Sequence, residues 1–196
     1  LHRKWVMGES DGVRADLRYA DLSYANLSSA DLSYANLSYA NLRSTNLSST
    51  NLSSADLRYA DLSYANLSSA DLRYADLSYA DLKEIMEDYL KVLSIAKAEV
   101  SGLYKSLLDG KISGSQYQGE CACLVGTIAN IRQENYECLN IDLRPNSERL
   151  SEKWFLAIQQ GDTPENNPVS KITKQWTEDF MKANDIVIPK RTVIWS

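Results

Sequence analysis

Leucine recurs every five residues from Leu17 to Leu82, fourteen times without a slip. Each stands in the pattern Ala-(Asp/Asn)-Leu, followed in most pentads by Ser or Arg and then Tyr or Ser, and only Thr45 and Thr50 replace the leading Ala. A period of five fits neither a regular helix nor a flat strand. At about 100° per residue, successive leucines on an α-helix would lie about 140° apart and make no face. Along a strand, positions five apart point to opposite sides. The register is satisfied when the chain turns once per pentad. Ala15 and Leu17 then point the same way from a short extended piece, and the turn re-aims the next pair inward. One such coil cannot bury its own leucines, so the coils must stack into a solenoid.

The segment ADLRYADLSYANLSSADLSY (15–34) resembles the pentapeptide-repeat proteins. The resemblance implies a right-handed quadrilateral β-helix with four pentads per coil, in which residues twenty apart stack. On that geometry residues 15–82 make about three and a half coils, a rod about 15 Å tall at a strand spacing of about 4.8 Å. Residues 15–34 match residues 55–74 at every position except Ser33 against Arg73, an offset of two coils. The inward ladder runs through Leu17, Leu37, Leu57 and Leu77 and their equivalents on the other walls. Thr45 and Thr50 are expected to turn their hydroxyls inward onto backbone.

Stacking in twenties also assigns the outer surface. One wall carries Tyr19, Tyr39, Tyr59 and Tyr79 beside Arg18 and Arg58, with Asp16, Asp56 and Asp76 next to the leucines. It reads as rings stacked along the rod, and equally as a candidate interaction surface, since Tyr supplies amphipathic contact area at low entropic cost. Another wall carries Asn26, Asn46, Asn66 and Ser29, Ser49, Ser69, with no charge and no ring. It reads as a structural amide ladder and a candidate packing face for a neighbouring subunit.

Three segments follow from the change of pattern. Residues 1–14 precede the first pentad and read as an N-terminal cap, with Trp5, Val6 and Met7 as a hydrophobic plug, Gly8 and Gly12 as turns, and His2 in solvent. Residues 15–82 are the rod. Residues 83–196 read as a mainly α-helical C-terminal domain with a strand-like tail. The apolar spacing predicts helices over 83–94 (Ile85, Met86, Tyr89, Leu90, Leu93), 98–109 with Gly110 as the stop, 121–132 (Leu124, Val125, Ile128, Ile131) and 147–160 (Leu150, Trp154, Ile158). A last helix opens at Asn167 as N-cap and Pro168 at N1, with Val169, Ile172, Trp176 and Phe180 on its inner face. The blocks YQGECACLVGTIAN (117–130), ERLSEKWFLAI (148–158) and GDTPENNPVSKI (161–172) resemble a C-terminal module found after pentapeptide repeats in phage and prophage-type proteins. That resemblance implies phage or bacterial origin and brings no activity with it.

No constellation for catalysis emerges. Cys121, Cys123 and Cys138 are the reactive groups to weigh, but the only histidine is His2, and Cys-x-Cys is a poor match to zinc-ligand spacing. They read as buried free thiols. The eight Asp of the repeats read as turn and solubility residues. There is no phosphate-binding glycine loop, no Ser-His-Asp set and no apolar span of membrane length, so no cofactor, metal or membrane contact is expected. The net charge of −5 disfavours direct nucleic-acid binding. An odd cysteine count and no signal-like start fit a reducing compartment, either the bacterial host cytoplasm or a virion-associated position.

The reading is a non-catalytic structural or protein-interaction protein of phage or prophage type. The rod serves as rigid spacer and docking surface, and the helical part recognises a protein partner or forms a homo-oligomer. Two alternatives stay open. One is a DNA-mimicking binder of a topoisomerase such as gyrase, as in one branch of the same repeat family, although eight Asp against four Arg on a short rod is a mild negative potential for that role. The other is an enzyme or metal site within residues 83–196.

Overall fold

The computed structural model describes residues 1–114 and 123–189. Cys121 and the end of the expected strand-like tail lie outside the described residues. In the repeats, parallel bridges join each Asp or Asn to the residue twenty positions on, from Asp16–Asn36 through Asp61–Asp81. The backbone bonds repeat with that period. Leu37 N–H donates to Asp56 O (2.8 Å), Tyr39 N–H to Arg58 O (2.9 Å), and Asp56 N–H to Ala35 O (3.0 Å). These bonds run from coil to coil, along the axis of the stack.

Each pentad turns for a local reason. The N–H of the next Ala donates back to the Leu carbonyl, as Ala40 does to Leu37 O at 3.0 Å. This closes a β-turn over the two outward residues. The second of them, Tyr or Ser, has φ between 56° and 62° in all thirteen pentads. L-residues enter that left-handed region at a cost of about 1–2 kcal/mol each. The Asp or Asn before each Leu supports the turn, because its Oδ1 accepts the N–H two residues on at 2.9–3.3 Å, in every pentad. Only a short side chain ending in an oxygen acceptor can make this bond, and it explains why that position is always Asp or Asn. The last bond in the series, from Lys83 N–H to Asp81 Oδ1 (3.1 Å), already serves the start of a helix.

The inward residues fill the tube. Leu37, Leu42, Leu47, Leu52 and Leu57 are fully buried, with the alanines between them. Thr45 Oγ1 donates to Leu22 O (2.7 Å) and Thr50 Oγ1 to Leu27 O (2.8 Å), so both inward hydroxyls are satisfied by the previous coil. The ladder is not uniform, however. Leu17, Leu22 and Leu27 are only half-buried, because no coil lies on their N-terminal side.

That open end is where the expected plug differs. Helix α1 (His2–Val6) contains no buried residue, and Met7 is 65% exposed. His2 is not in solvent. Its Nδ1 accepts Ala15 N–H at 3.0 Å, and its ring stacks on Trp5. A polar bond and ring contacts therefore start the rod instead of an apolar stopper. Gly12 is needed there, since a Cβ would come 2.2 Å from Trp5 N.

Beyond the rod the chain forms α2 (Lys83–Ile95), α3 (Val100–Leu108), α4 (Leu124–Arg132), α5 (Leu150–Phe155) and α6 (Pro168–Ala183). Short 3-10 turns join several of them. The hydrophobic core is continuous from the rod leucines through Leu82 and Ile85 into this helical region. Helix α5 stops well short of the expected 147–160, and Ile158 is buried in the turn that follows it. Ile131, expected in the core, is 36% exposed and lies against Gly102 of α3. The described part of the tail, 184–189, forms no strand. Asn167 caps α6 as expected, its side chain accepting Ser170 N–H at 3.1 Å.

The largest departure is the buried face of α6. It is Val169, Thr173, Thr177 and Met181, not the stripe through Ile172, Trp176 and Phe180. Two aromatic residues with polar handles decide this. Trp154 Nε1 donates to Thr173 Oγ1, and Tyr89 OH pairs with Thr177 Oγ1, both at 2.8 Å. Each threonine also donates to the carbonyl four residues back, at 2.7 Å. A buried Trp or Tyr without such a partner would leave a polar group unsatisfied, at a cost of about 1–3 kcal/mol. The threonines thus face inward, and the larger apolar residues rotate to the edge.

The turn strain and the ring stack can be separated by two substitutions. Ser49→Gly removes a side chain from the left-handed region and is expected to be neutral or stabilising by up to about 1 kcal/mol. Tyr59→Gly relieves the same strain but breaks two ring contacts, and is expected to destabilise by about 1–2 kcal/mol. Urea unfolding of both variants checks this; a stabilised Tyr59→Gly protein would show that the stack contributes nothing.

Candidate interaction surfaces

The tyrosine wall is a stack. Tyr19, Tyr39, Tyr59 and Tyr79 lie ring over ring at 5.1, 4.7 and 4.8 Å, with interplanar angles of 18° or less. Their faces are spent on one another, so the wall offers ring edges and phenol hydroxyls. Arg18 and Arg58 are not free beside it. Each forms a two-point contact with the Asp of its own pentad, Arg18 to Asp16 (2.8 and 2.7 Å) and Arg58 to Asp56 (2.9 and 2.7 Å). Arg58 also lies 3.7 Å from Asp76. Arg73 holds Asp71 in the same way on another wall, and Arg43 lies over the ring of Tyr64 at 4.8 Å.

These contacts set the acid behaviour of the rod. The Arg58 guanidinium holds the Asp56 carboxyl below its ordinary value, and Arg73 does the same for Asp71. Asp16 is lowered by Arg18, and Asp21 by its bonds from Ser23.

The Asn/Ser wall carries the expected ladder. Asn46 Nδ2 donates to Asn26 Oδ1 and Asn66 Nδ2 to Asn46 Oδ1, both at 3.3 Å. Each of these oxygens also accepts its own turn bond, so the ladder is secondary to the turn. Ser29 and Ser49 lie at the outward turn positions of this wall. The last rung, Ser69, lines a cavity of about 320 Å³ with Ser113, Leu156 and Ile158, so this face meets the chain's own helical region at one end.

A third surface lies along α2 and α6. The rotation of α6 leaves Ile172, Trp176 and Phe180 half-buried, facing Met86 and Leu90 of α2. Three cavities of about 580, 330 and 240 Å³ run on from one another there. The first shares Leu77 and Ile172 with the second, and the second shares Met86 and Trp176 with the third. The groove begins at Asp76, Leu77 and Tyr79, where the tyrosine stack ends, and finishes at Asp179 and Ala183. The apolar stripe was visible in the sequence; its exposure depended on Trp154 and Tyr89 choosing the threonines, a pairing across 19 and 88 residues.

Of the two described thiols, one is buried and one is exposed. Cys123 is the N-cap of α4, its Sγ accepting Gly126 N–H at 3.4 Å, and burial pushes its thiol up to about 11. Cys138 is exposed. Among the described residues no group of three or more His, Cys, Asp or Glu could hold a metal, and no helix is long and apolar enough to cross a membrane.

Residues 13–48 and 50–85 match the family model for pentapeptide repeats, in eight copies. These residues are pentapeptide repeats. The chain is 45% identical to a pentapeptide repeat protein from Nostoc PCC 7120, over 42% of this chain and 72% of that one, with a TM-score of 0.26. It is 33% identical to one from the thylakoid lumen of Arabidopsis thaliana, over 34% of this chain and 46% of that one (TM-score 0.33). It is 38% identical to one from the cyanobacterium Cyanothece 51142, over 35% and 50% (TM-score 0.30). The chain spans about half the length of the last two. No curated protein matches it. Pentapeptide repeats imply a right-handed β-helix for this part of the chain.

Two outcomes are expected. Carboxyls lowered in the folded state contribute stability above their unfolded value near pH ~3.9, and this is lost as pH falls through the folded values. Urea midpoints should therefore drop below about pH 4, and Asp71→Asn, which keeps the turn acceptor, should flatten that drop while costing less than about 1 kcal/mol at neutral pH. Alkylation of the native protein at pH 7, followed by site-resolved mass spectrometry, should modify Cys138 and spare Cys123.

Proposed function

We propose that this chain is a non-catalytic structural and protein-interaction protein of phage or prophage type. Its rod, four-sided and about three and a half coils long on a 4.8 Å repeat, serves as a rigid spacer and docking surface, and residues 83–196 form the helical part that recognises a protein partner or makes the oligomer. The phage assignment rests on the resemblance of residues 117–130, 148–158 and 161–172, and with it goes a proposed location in the bacterial cytoplasm or on a virion. The observation that carries the interaction reading is the continuous groove between α2, α6 and the end of the rod, apolar along Met86, Leu90, Trp176 and Phe180 and more polar where it meets the rod. Such a groove, with Trp176 at its middle and charged residues on its rim, has the make-up of a protein contact site. Tyr79 and Asp76 open onto it, so a partner seated there touches the tyrosine wall as well.

The topoisomerase-binding alternative is not favoured by the charge arrangement. Asp16, Asp56, Asp71 and Asp76 are engaged by arginines of the rod itself. A DNA mimic needs unneutralised carboxylates in phosphate-like rows.

The test is recovery of partners on immobilised full-length chain from infected or lysogenic cells, compared with Trp176→Asp and with a rod-wall variant, Tyr39→Ala/Tyr59→Ala. Partners retained by the native chain and lost with Trp176→Asp are the expected result. Identical protein sets on all three would remove the groove and the wall from the reading.

A further inference from the structure

The groove reading leaves the occupant open, and the inference that follows rests on it. We infer that the groove seats a second copy of this chain, docked antiparallel, with α6 of each copy lying between α2 and α6 of the other. Helices α2 and α6 run side by side in the same direction. Lys83 and Met86, at the start of α2, share a cavity with Ile172 and Trp176, while Leu90, further on, faces Phe180 and Ala183. Their macrodipoles therefore add, with both positive N-terminal ends at the rod and both negative ends away from it. The side chains leave two of these poles uncompensated. The first turn of α6 has no acidic residue, and the last turn of α2 has no basic one. Lys171, early in α6, strengthens the positive pole, while Lys174 is paired with Glu178 at 2.8 Å.

An antiparallel copy matches these poles. The positive start of its α6 comes beside the bare negative end of α2, and the two-fold axis repeats the match at the other end of the groove. A parallel copy would set like poles together. The apolar surfaces are self-complementary under the same operation. Trp176 sits at the middle of α6 (Pro168–Ala183), so an axis passing there brings the two indoles together at the centre of the contact. The ridge of Ile172, Trp176 and Phe180 that lines one groove then fills the other. The two rods leave at opposite ends.

The test uses the full purified chain with no other protein present. Sedimentation or light scattering over a concentration series is expected to show a species of twice 22.0 kDa. Trp176→Asp should raise the dimer dissociation constant about thirtyfold or more, as for a central aromatic hot spot, with unchanged circular dichroism. Leu90→Asp, on the other wall of the groove, serves if the first variant misfolds. Orientation is read by mixing Ser94→Cys protein with Lys171→Cys protein, both in a Cys121→Ser/Cys138→Ser background. These positions lie at opposite ends of one groove, so a disulfide between the two proteins reports antiparallel docking. A chain that stays monomeric at about 0.5 mM, a dimer indifferent to both aspartates, or no cross-copy disulfide overturns the inference. A monomer that still loses partners from cell extract through Trp176→Asp overturns the second copy alone and leaves the proposed function standing.

Discussion

The rod depends on one bond repeated in every pentad: an Asp or Asn side-chain oxygen accepting the backbone N–H two residues on. Without it the chain has little reason to place Tyr or Ser at positive φ. Without that turn the next Ala and Leu would not point inward. Hydrophobic burial supplies the larger driving force, but leucine alone would be equally content in a helix. The Asp/Asn position makes the five-residue period structural, by tying each outward excursion to the coil that follows it.

The repeats were therefore open to reading from sequence. Period, inward residues, wall composition and the inward hydroxyls of Thr45 and Thr50 all follow from rules that act within a few residues or at a fixed offset. Even so, the reason for Asp/Asn was only partly visible, since "turn residue" does not specify a bond made by every copy. The N-terminal end was misread because Trp5, Val6 and Met7 look like a stopper, whereas the exposed edge has backbone donors that ask for an acceptor, and His2 supplies one to Ala15.

The helical region was legible in its elements and not in their orientation. Caps and stops such as Asn167, Pro168 and Gly110 are local signals. Which face of α6 goes inward is settled by Tyr89 and Trp154, which come from elsewhere in the chain and require hydroxyl partners in the core. A periodicity count weighs Ile172, Trp176 and Phe180 above Thr173 and Thr177. The unsatisfied-polar penalty reverses that order, and the groove is the residue of the reversal.

The direction of the rod's hydrogen bonds carries a mechanical consequence. They lie along the axis, coil to coil, and each coil is held to the next by a few isolated bridges rather than by long ladders. Compression and bending load the packed leucine column and the stacked rings, which resist well. Tension on the two chain ends instead loads one set of bridges at a time, and the coils peel in succession. Such a rod would resist load as a strut far better than as a tether.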